Sequence, residues 1–284
     1  MKMKKVTDTG KNIALGGRVD SYWKGRQLKK SGRYNISKPL TRRSKVESAE
    51  IIAKRYRLKG FEFGNYVNNN DRTDKILSTR ASLEHLSKII GSKNLGLSNT
   101  LGIALGARGY GGVAKAHFEP DYFMINLTKD RSVGSLAHEY GHALDYFFGR
   151  YIDQNKYYSS LSGGSSVAKA LPKNTGGILR ILMNEILDKI MASNSYVKLL
   201  KVTGNTEYWR RRNEIFARTF EQWVQFQLKS KGIKNTFLSK NKYESVVYLS
   251  KKDFESILPL MNELIRVMRL FMNKKRTTVK VSVV

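Results

Sequence analysis

His138-Glu139-Tyr140-Gly141-His142 places two imidazoles and a carboxylate within five residues of a chain that holds only 4 histidines. The surrounding stretch, Ser132 to Phe148, has a helical period, so the two histidines sit at i and i+4 on one face, about one turn apart. Two neutral imidazoles so placed can hold one ion, and zinc suits them best. A catalytic zinc keeps three protein ligands and a water whose pKa falls to about 7. A carboxylate directly after the first histidine can take that water's proton, which makes Glu139 the candidate base. With so few histidines, the arrangement would arise by accident with a probability on the order of a few in a thousand. Glycine costs about 1 kcal/mol in a helix interior, so Gly141 points to another element packing closely against the pair.

The third ligand has to come from elsewhere. The chain has no cysteine, so it must be His, Asp or Glu, and disulfides, thiolate zinc sites, iron–sulfur clusters and cysteine nucleophiles are excluded. His117, just before a strand-like run, is one candidate. Further along, Asn213 to Glu221 puts Glu214, Ala217, Arg218 and Glu221 on one helical face, with small Ala217 clearing space beside the carboxylates. An acidic stripe in an otherwise apolar helix is costly unless paired, so Glu214 or Glu221 must face a cation, either the metal or Arg218. A Glu–Arg–Glu ion pair is the non-catalytic alternative.

Several elements must position these residues. Ser48 to Tyr56 is expected to be a helix ending before Gly60. A second helix, capped within Asp71 to Thr73, buries Ile76, Leu83, Leu86 and Ile90 and ends at Gly91, with His85 as a surface or core imidazole. Gly102 to Gly112 is so rich in glycine that backbone must turn sharply or approach something closely. It lacks the Gly-Lys-Ser/Thr ending of a phosphate loop. Tyr122 to Thr128 reads as a strand, and its Phe123 to Thr128 part is expected to form a sheet edge beside the metal helix, able to pair with an extended peptide. Ser159 to Gly177 is loop-like, and Ile178 to Met191 is an amphipathic helix burying Ile178, Leu182, Ile186 and Ile190. A helix from Asn213 should be buried on much of its circumference, and another runs from Phe254 to Met272.

The 284 residues, 40% hydrophobic and 11% aromatic, suffice for a substantial core and exclude a disordered chain. Lys and Arg number 52 against 23 Asp and Glu, a net charge of +29, which predicts adhesion to polyanions. Residues 1–45 read as a flexible basic arm and 274–284 as a basic tail around a domain at 46–273. Nucleic acid is the expected partner of the arm and the basic surface. The start, Met1 to Asp8, has the basic end of a secretory signal but no apolar stretch behind it, so export by that route is not expected. No integral membrane segment is expected either, because the most apolar long stretch, Ile257 to Met272, is broken by Asn262, Glu263, Arg266 and Arg269.

Gly102 to Gly109, Ile125 to Lys129, Ser135 to Asp145 and Glu214 to Glu221 together resemble the first class of large polyvalent protein-associated domain, over about Lys59 to Glu221. Such domains occur in proteins of bacteriophages and conjugative elements thought to accompany invading DNA. The histidine helix and the Glu214 helix are also similar to the catalytic domain of anthrax lethal factor, a zinc peptidase with a zincin fold. The resemblance implies an α+β, zincin-like metallopeptidase fold, mostly helical with a small sheet beside the metal helix. It selects Glu214 over Glu221 as third ligand, with one Zn2+ per chain on His138, His142 and Glu214. It also implies an oxyanion-steadying tyrosine seven residues before that glutamate. Here that position is Glu207, and Tyr208 lies one place later. Asp145 matches an acidic position in both patterns and is expected to orient a histidine, with Arg218 and Glu221 around the ligands. The implied activity is hydrolysis of a peptide bond in a protein substrate, in the cytoplasm of a bacterial host or after packaging in a virion or transfer with DNA. The competing expectation is a non-catalytic, basic nucleic-acid-binding or virion-packaged protein with a structural or vestigial metal site.

Removal of Met1 to Ser44 is expected to flatten the dependence of log K for DNA on log salt, because released counterions scale with neutralised phosphates. Fluorescence anisotropy at several salt concentrations checks this; an unchanged slope would put the nucleic-acid surface on the folded domain.

Overall fold

Ser48 opens the first helix as its spacing predicts. Its Oγ accepts the Ile51 N–H at 3.2 Å, Glu50 lies in the first turn, and Lys54 and Arg55 lie in the last. Arg57, at φ 54°, turns the chain out of helix α1 (Ala49–Tyr56) into strand β2 (Gly60–Phe63). The computed structural model describes residues 12–13, 36, 48–64, 69–107, 116–128, 134–152, 159–165, 177–203, 206–240, 243 and 246–274. The expected arm and tail thus lie outside the described residues, except for 12–13, 36 and 274, as does the glycine-rich stretch past Ala107.

Helix α2 (Asn69–Ile90) begins two residues before the expected cap and ends at Gly91, whose φ of 79° is the left-handed stop. His85 is a core imidazole, fully buried, with Nδ1 3.1 Å from Asn235 Nδ2. The glycine-rich stretch, expected to turn sharply or to approach something closely, starts with a central strand, β3 (Gly102–Leu105). Four small or apolar residues buried on every side need no alternation, so period 2 was not there to be seen. Gly102 does meet a close neighbour: a Cβ there would lie 2.6 Å from Met124 Cε.

The sheet has the order β1-β2-β3-β5-β4, where β1 is Asn12–Ile13, β4 is Ala116–Glu119 and β5 is Met124–Leu127. Strands β2, β3 and β5 run parallel, with Gly60, Gly102 and Met124 in register, while β1 and β4 lie antiparallel on the outside. The Phe123 to Thr128 stretch is therefore an interior strand and not the expected edge. A turn over Pro120 to Phe123, with Phe123 at φ 51°, folds β4 back along β5 and covers it, so β4 is the outer strand.

Helix α3 (Leu136–Ile152) follows and packs on β4 and β5 with one side and along α6 (Arg212–Ser230) with the other. Helix α4 (Gly177–Met191) packs on α7 (Lys251–Asn273). Its buried stripe is Leu179, Leu182, Met183, Ile186, Leu187 and Ile190, whereas Ile178, expected inside, is 49% exposed at the first turn. Helix α5 (Asn194–Thr203) was not anticipated, since ten residues with only Ser195, Tyr196 and Leu199 buried leave too short a period to read. Helix α6 is buried around most of its circumference, as its apolar content predicts. The result is a mixed α+β fold with seven α-helices among the described residues and a small sheet beside the histidine helix. No helix among the described residues is long and apolar enough to cross a membrane.

Near the end of α3, a Cβ on Gly149 would lie 2.4 Å from the backbone of Ser160. Gly149→Val is expected to lower stability by about 2 kcal/mol or more, since backbone rather than a flexible side chain must yield. Urea unfolding followed by circular dichroism reads this as a lower midpoint.

Candidate metal centre

Helix α3 presents His138 and His142 on one face, with ring centroids 4.9 Å apart and planes at 82°. Glu214 enters from the first turn of α6. Its Oε2 lies 3.5 Å from His138 Nε2 and its Oε1 3.4 Å from His142 Nε2. One ligand atom from each of the three residues falls within 4.8 Å of the others. Tetrahedral donors at 2.0–2.1 Å from a zinc ion are separated by about 3.4 Å, so the residues present fit one such ion, and two imidazoles with a carboxylate are a donor set that suits zinc. The close approach rests on Gly141, where a Cβ would lie 3.1 Å from Ala217 Cα and 3.3 Å from Phe220 Cβ.

Electrostatically the three groups are one unit. Burial alone would push the His138 imidazolium down, but its ion-pair contacts with Glu214 and Glu221 and the charge of Glu139 raise it to about 10. Burial likewise opposes ionisation of Glu214, and the two histidines outweigh it, holding the carboxyl well below the usual range. Glu139 is 5% exposed; burial pushes its carboxyl up while the adjacent histidines pull it down. A carboxyl raised in this way is a stronger proton acceptor than an exposed one.

Tyr208 stands on a one-turn 3-10 helix (Tyr208–Arg210) just before α6, near enough to Glu214 for the two groups to interact. The tight turn brings it to the site despite its one-place offset in sequence. Burial and the Glu214 charge hold the phenol proton well beyond its usual range, and at 43% exposure the ring still reaches solvent. Arg218 is buried, with Nη1 3.8 Å from Glu214 Oε2 and its guanidinium 5.5 Å from the Trp209 ring centroid, and it donates to the Trp209 carbonyl. Glu221 is fully buried, with Oε2 3.7 Å from His138 Nδ1.

Asp145 is fully buried, and its oxygens accept the Ser162 N–H at 2.7 Å and the Ser162 hydroxyl at 2.6 Å. Its influence on His142 acts through space, and its contacts secure the Ser160 to Gly164 loop. That loop also receives Arg180 Nη1 on two carbonyls and Arg212 Nε on the Ser162 carbonyl, and Gly164 O accepts the Asn213 N–H at 3.0 Å, tying α3 and α4 to the start of α6. His117, on β4, pairs with Glu119 at 3.1 Å and is not part of the three-residue group. Trp209, Lys240, Tyr243 and Tyr248 also surround the site and had no sequence signal, because each acts through a fold contact rather than a spacing.

In chelator-treated protein, His138 should stabilise the fold fully below about pH 6.5, with that contribution lost as pH rises toward 10, since its folded pKa is raised. Urea midpoints between pH 6 and 10 should therefore fall more steeply for the parent chain than for His138→Gln; parallel curves would contradict this.

Residues 200–270 match the family model described as large polyvalent protein-associated domain 1. The matched segment starts beyond the histidine helix and spans α6 and most of α7, so it coincides with the motif-based resemblance only from Leu200 to Glu221. It contains Glu214, Arg218 and Glu221 but neither histidine. No curated protein and no solved structure matches the chain.

Proposed function

We propose that the chain is a zinc-dependent peptidase of bacteriophage or mobile-element origin that hydrolyses a peptide bond in a protein substrate in a bacterial cell. The observation that carries this reading is the convergence of His138, His142 and Glu214 within 4.8 Å, with Glu139 buried beside them. A zinc ion held by the three residues would supply Lewis acidity and a nucleophilic water at neutral pH. Glu139 takes the proton from the attacking water and passes it to the leaving amine. The Tyr208 hydroxyl, kept protonated, donates to the carbonyl oxygen as negative charge develops there. Asp145 keeps the loop behind the site in place, and Arg218 and Glu221 neutralise and orient the ligands. An extended peptide would add to the outer edge of β4, beside α3. A sheet lying along the metal helix supports a zincin-like arrangement, similar to that expected from the lethal factor resemblance.

The charge of +29 favours a second role, binding to nucleic acid during packaging or transfer. With a structural or vestigial metal site, that role would stand alone.

Elemental mass spectrometry on tag-free protein should find about one zinc per chain, retained in Glu139→Gln and lost in Glu214→Ala. Turnover of a protein substrate should fall at least about 100-fold in Glu139→Gln. Unchanged turnover would remove Glu139 from the mechanism, and a metal-free parent chain would move the weight to nucleic-acid binding.

A further inference from the structure

Glu221 sits seven residues past Glu214 on α6, with no exposed surface. Its position is set entirely by protein groups. Oε2 is 3.7 Å from Nδ1 of His138, the ring nitrogen other than the Nε2 that meets Glu214. The remaining partners come from one short segment between α6 and α7. The Tyr243 hydroxyl donates to Oε1 at 3.2 Å, the Tyr248 hydroxyl donates to Oε2 at 3.0 Å, and Lys240 Nζ stands 3.6 Å from Oε1. The two phenol rings pack with centroids 4.7 Å apart, and the Lys240 ammonium lies 4.8 Å from the Tyr248 ring centroid. A carboxylate taken fully out of water costs several kcal/mol unless such donors surround it.

The same segment holds the start of the histidine helix. Phe237 O accepts the Gly134 N–H at 3.2 Å and Leu238 O accepts the Ala137 N–H at 2.9 Å, satisfying backbone donors at the helix N-terminus. Asn235 braces these two residues, since its Oδ1 accepts their N–H groups at 3.1 and 3.0 Å. Its Nδ2 meets Ser82 Oγ and His85 Nδ1 on α2, both at 3.1 Å. Backbone from Phe237 and Leu238 thus fixes where α3 begins, and Glu221 addresses the ring of its first histidine.

A histidine ligand is held in one ring orientation and tautomer when its second nitrogen has a fixed partner, and loss of that partner costs about 10–100-fold in metal affinity. We propose that Glu221, fixed by Lys240, Tyr243 and Tyr248, is a positioning residue that orients His138, so that this segment sets how tightly the centre holds its ion. The inference rests on the reading of His138 as a metal ligand and not on any substrate.

The test uses the full chain and zinc alone, with affinity from chelator competition and ligand geometry from the visible spectrum of the Co2+-substituted protein. Glu221→Gln should still bind one zinc at saturation but about 10–100-fold more weakly, with an altered Co2+ spectrum. Tyr243→Phe/Tyr248→Phe removes two hydroxyls and keeps the rings, so it should fold as the parent does, weaken zinc binding in the same direction and shift the spectrum likewise. Parent affinity and spectrum in the tyrosine variant and in any folded Glu221→Gln would overturn the proposal. A parent chain that binds zinc but cleaves no protein would remove the peptidase reading and leave this one standing. A parent chain that takes up neither zinc nor Co2+ would overturn both.

Discussion

At Gly141 the backbone of α3 comes so close to α6 that a methyl group would press on Ala217 and Phe220. Glycine facing alanine shortens the distance between two helices, and side chains at the contact normally hold axes 8–10 Å apart. Glu214, one turn before Ala217, thereby reaches His138 and His142 with a carboxylate on two methylenes. Everything chemical in the molecule follows from that approach. A bulkier pair would separate the carboxylate from the imidazoles and leave both sides buried without a partner.

The approach concentrates charge in a place with little water. Glu139, Glu214, Glu221, Asp145 and Arg218 are all buried near two imidazoles, and any of them alone would be expensive to desolvate. Each finds an answer in a neighbour. Glu214 meets the histidines and Arg218; Glu221 meets His138, two phenols and an ammonium; Asp145 meets Ser162. Glu139 has no comparable hydrogen-bonding set among the described residues; burial pushes its carboxyl up and the charges of His138 and His142 pull it down.

The sheet serves this cluster from one side. Parallel strands β2, β3 and β5 form its apolar centre, and β4 turns back as the outer strand where α3 packs. Opposite the sheet, α6 and the segment leading to α7 carry Glu214 and the groups around it, and the family match at 200–270 falls on them. The cluster is thus assembled from two parts of the chain, with His138, Glu139, His142 and Asp145 in one and Glu214, Glu221 and the tyrosines in the other.

Much of this was legible in advance because it depends on short spacing. Ser48 as a cap, Gly91 as a stop, the strand at Met124 to Leu127 and the i, i+4 histidines are properties of consecutive residues. So is the shared face of Glu214, Arg218 and Glu221, which left the choice of ligand to resemblance until distances separated them. The order of strands was not legible, since whether β5 lies inside or at the edge depends on a neighbour that pairs from outside its own residues. Nor were the roles of Asp145, Tyr243, Tyr248 and Lys240, whose partners lie 17 to 27 residues away in the chain or reach it only through the fold. Local periodicity by itself determined which residues could act; the tertiary structure decided which of them meet, because hydrogen bonds and ion pairs are set by distance in space and sequence order constrains that only within a turn or two.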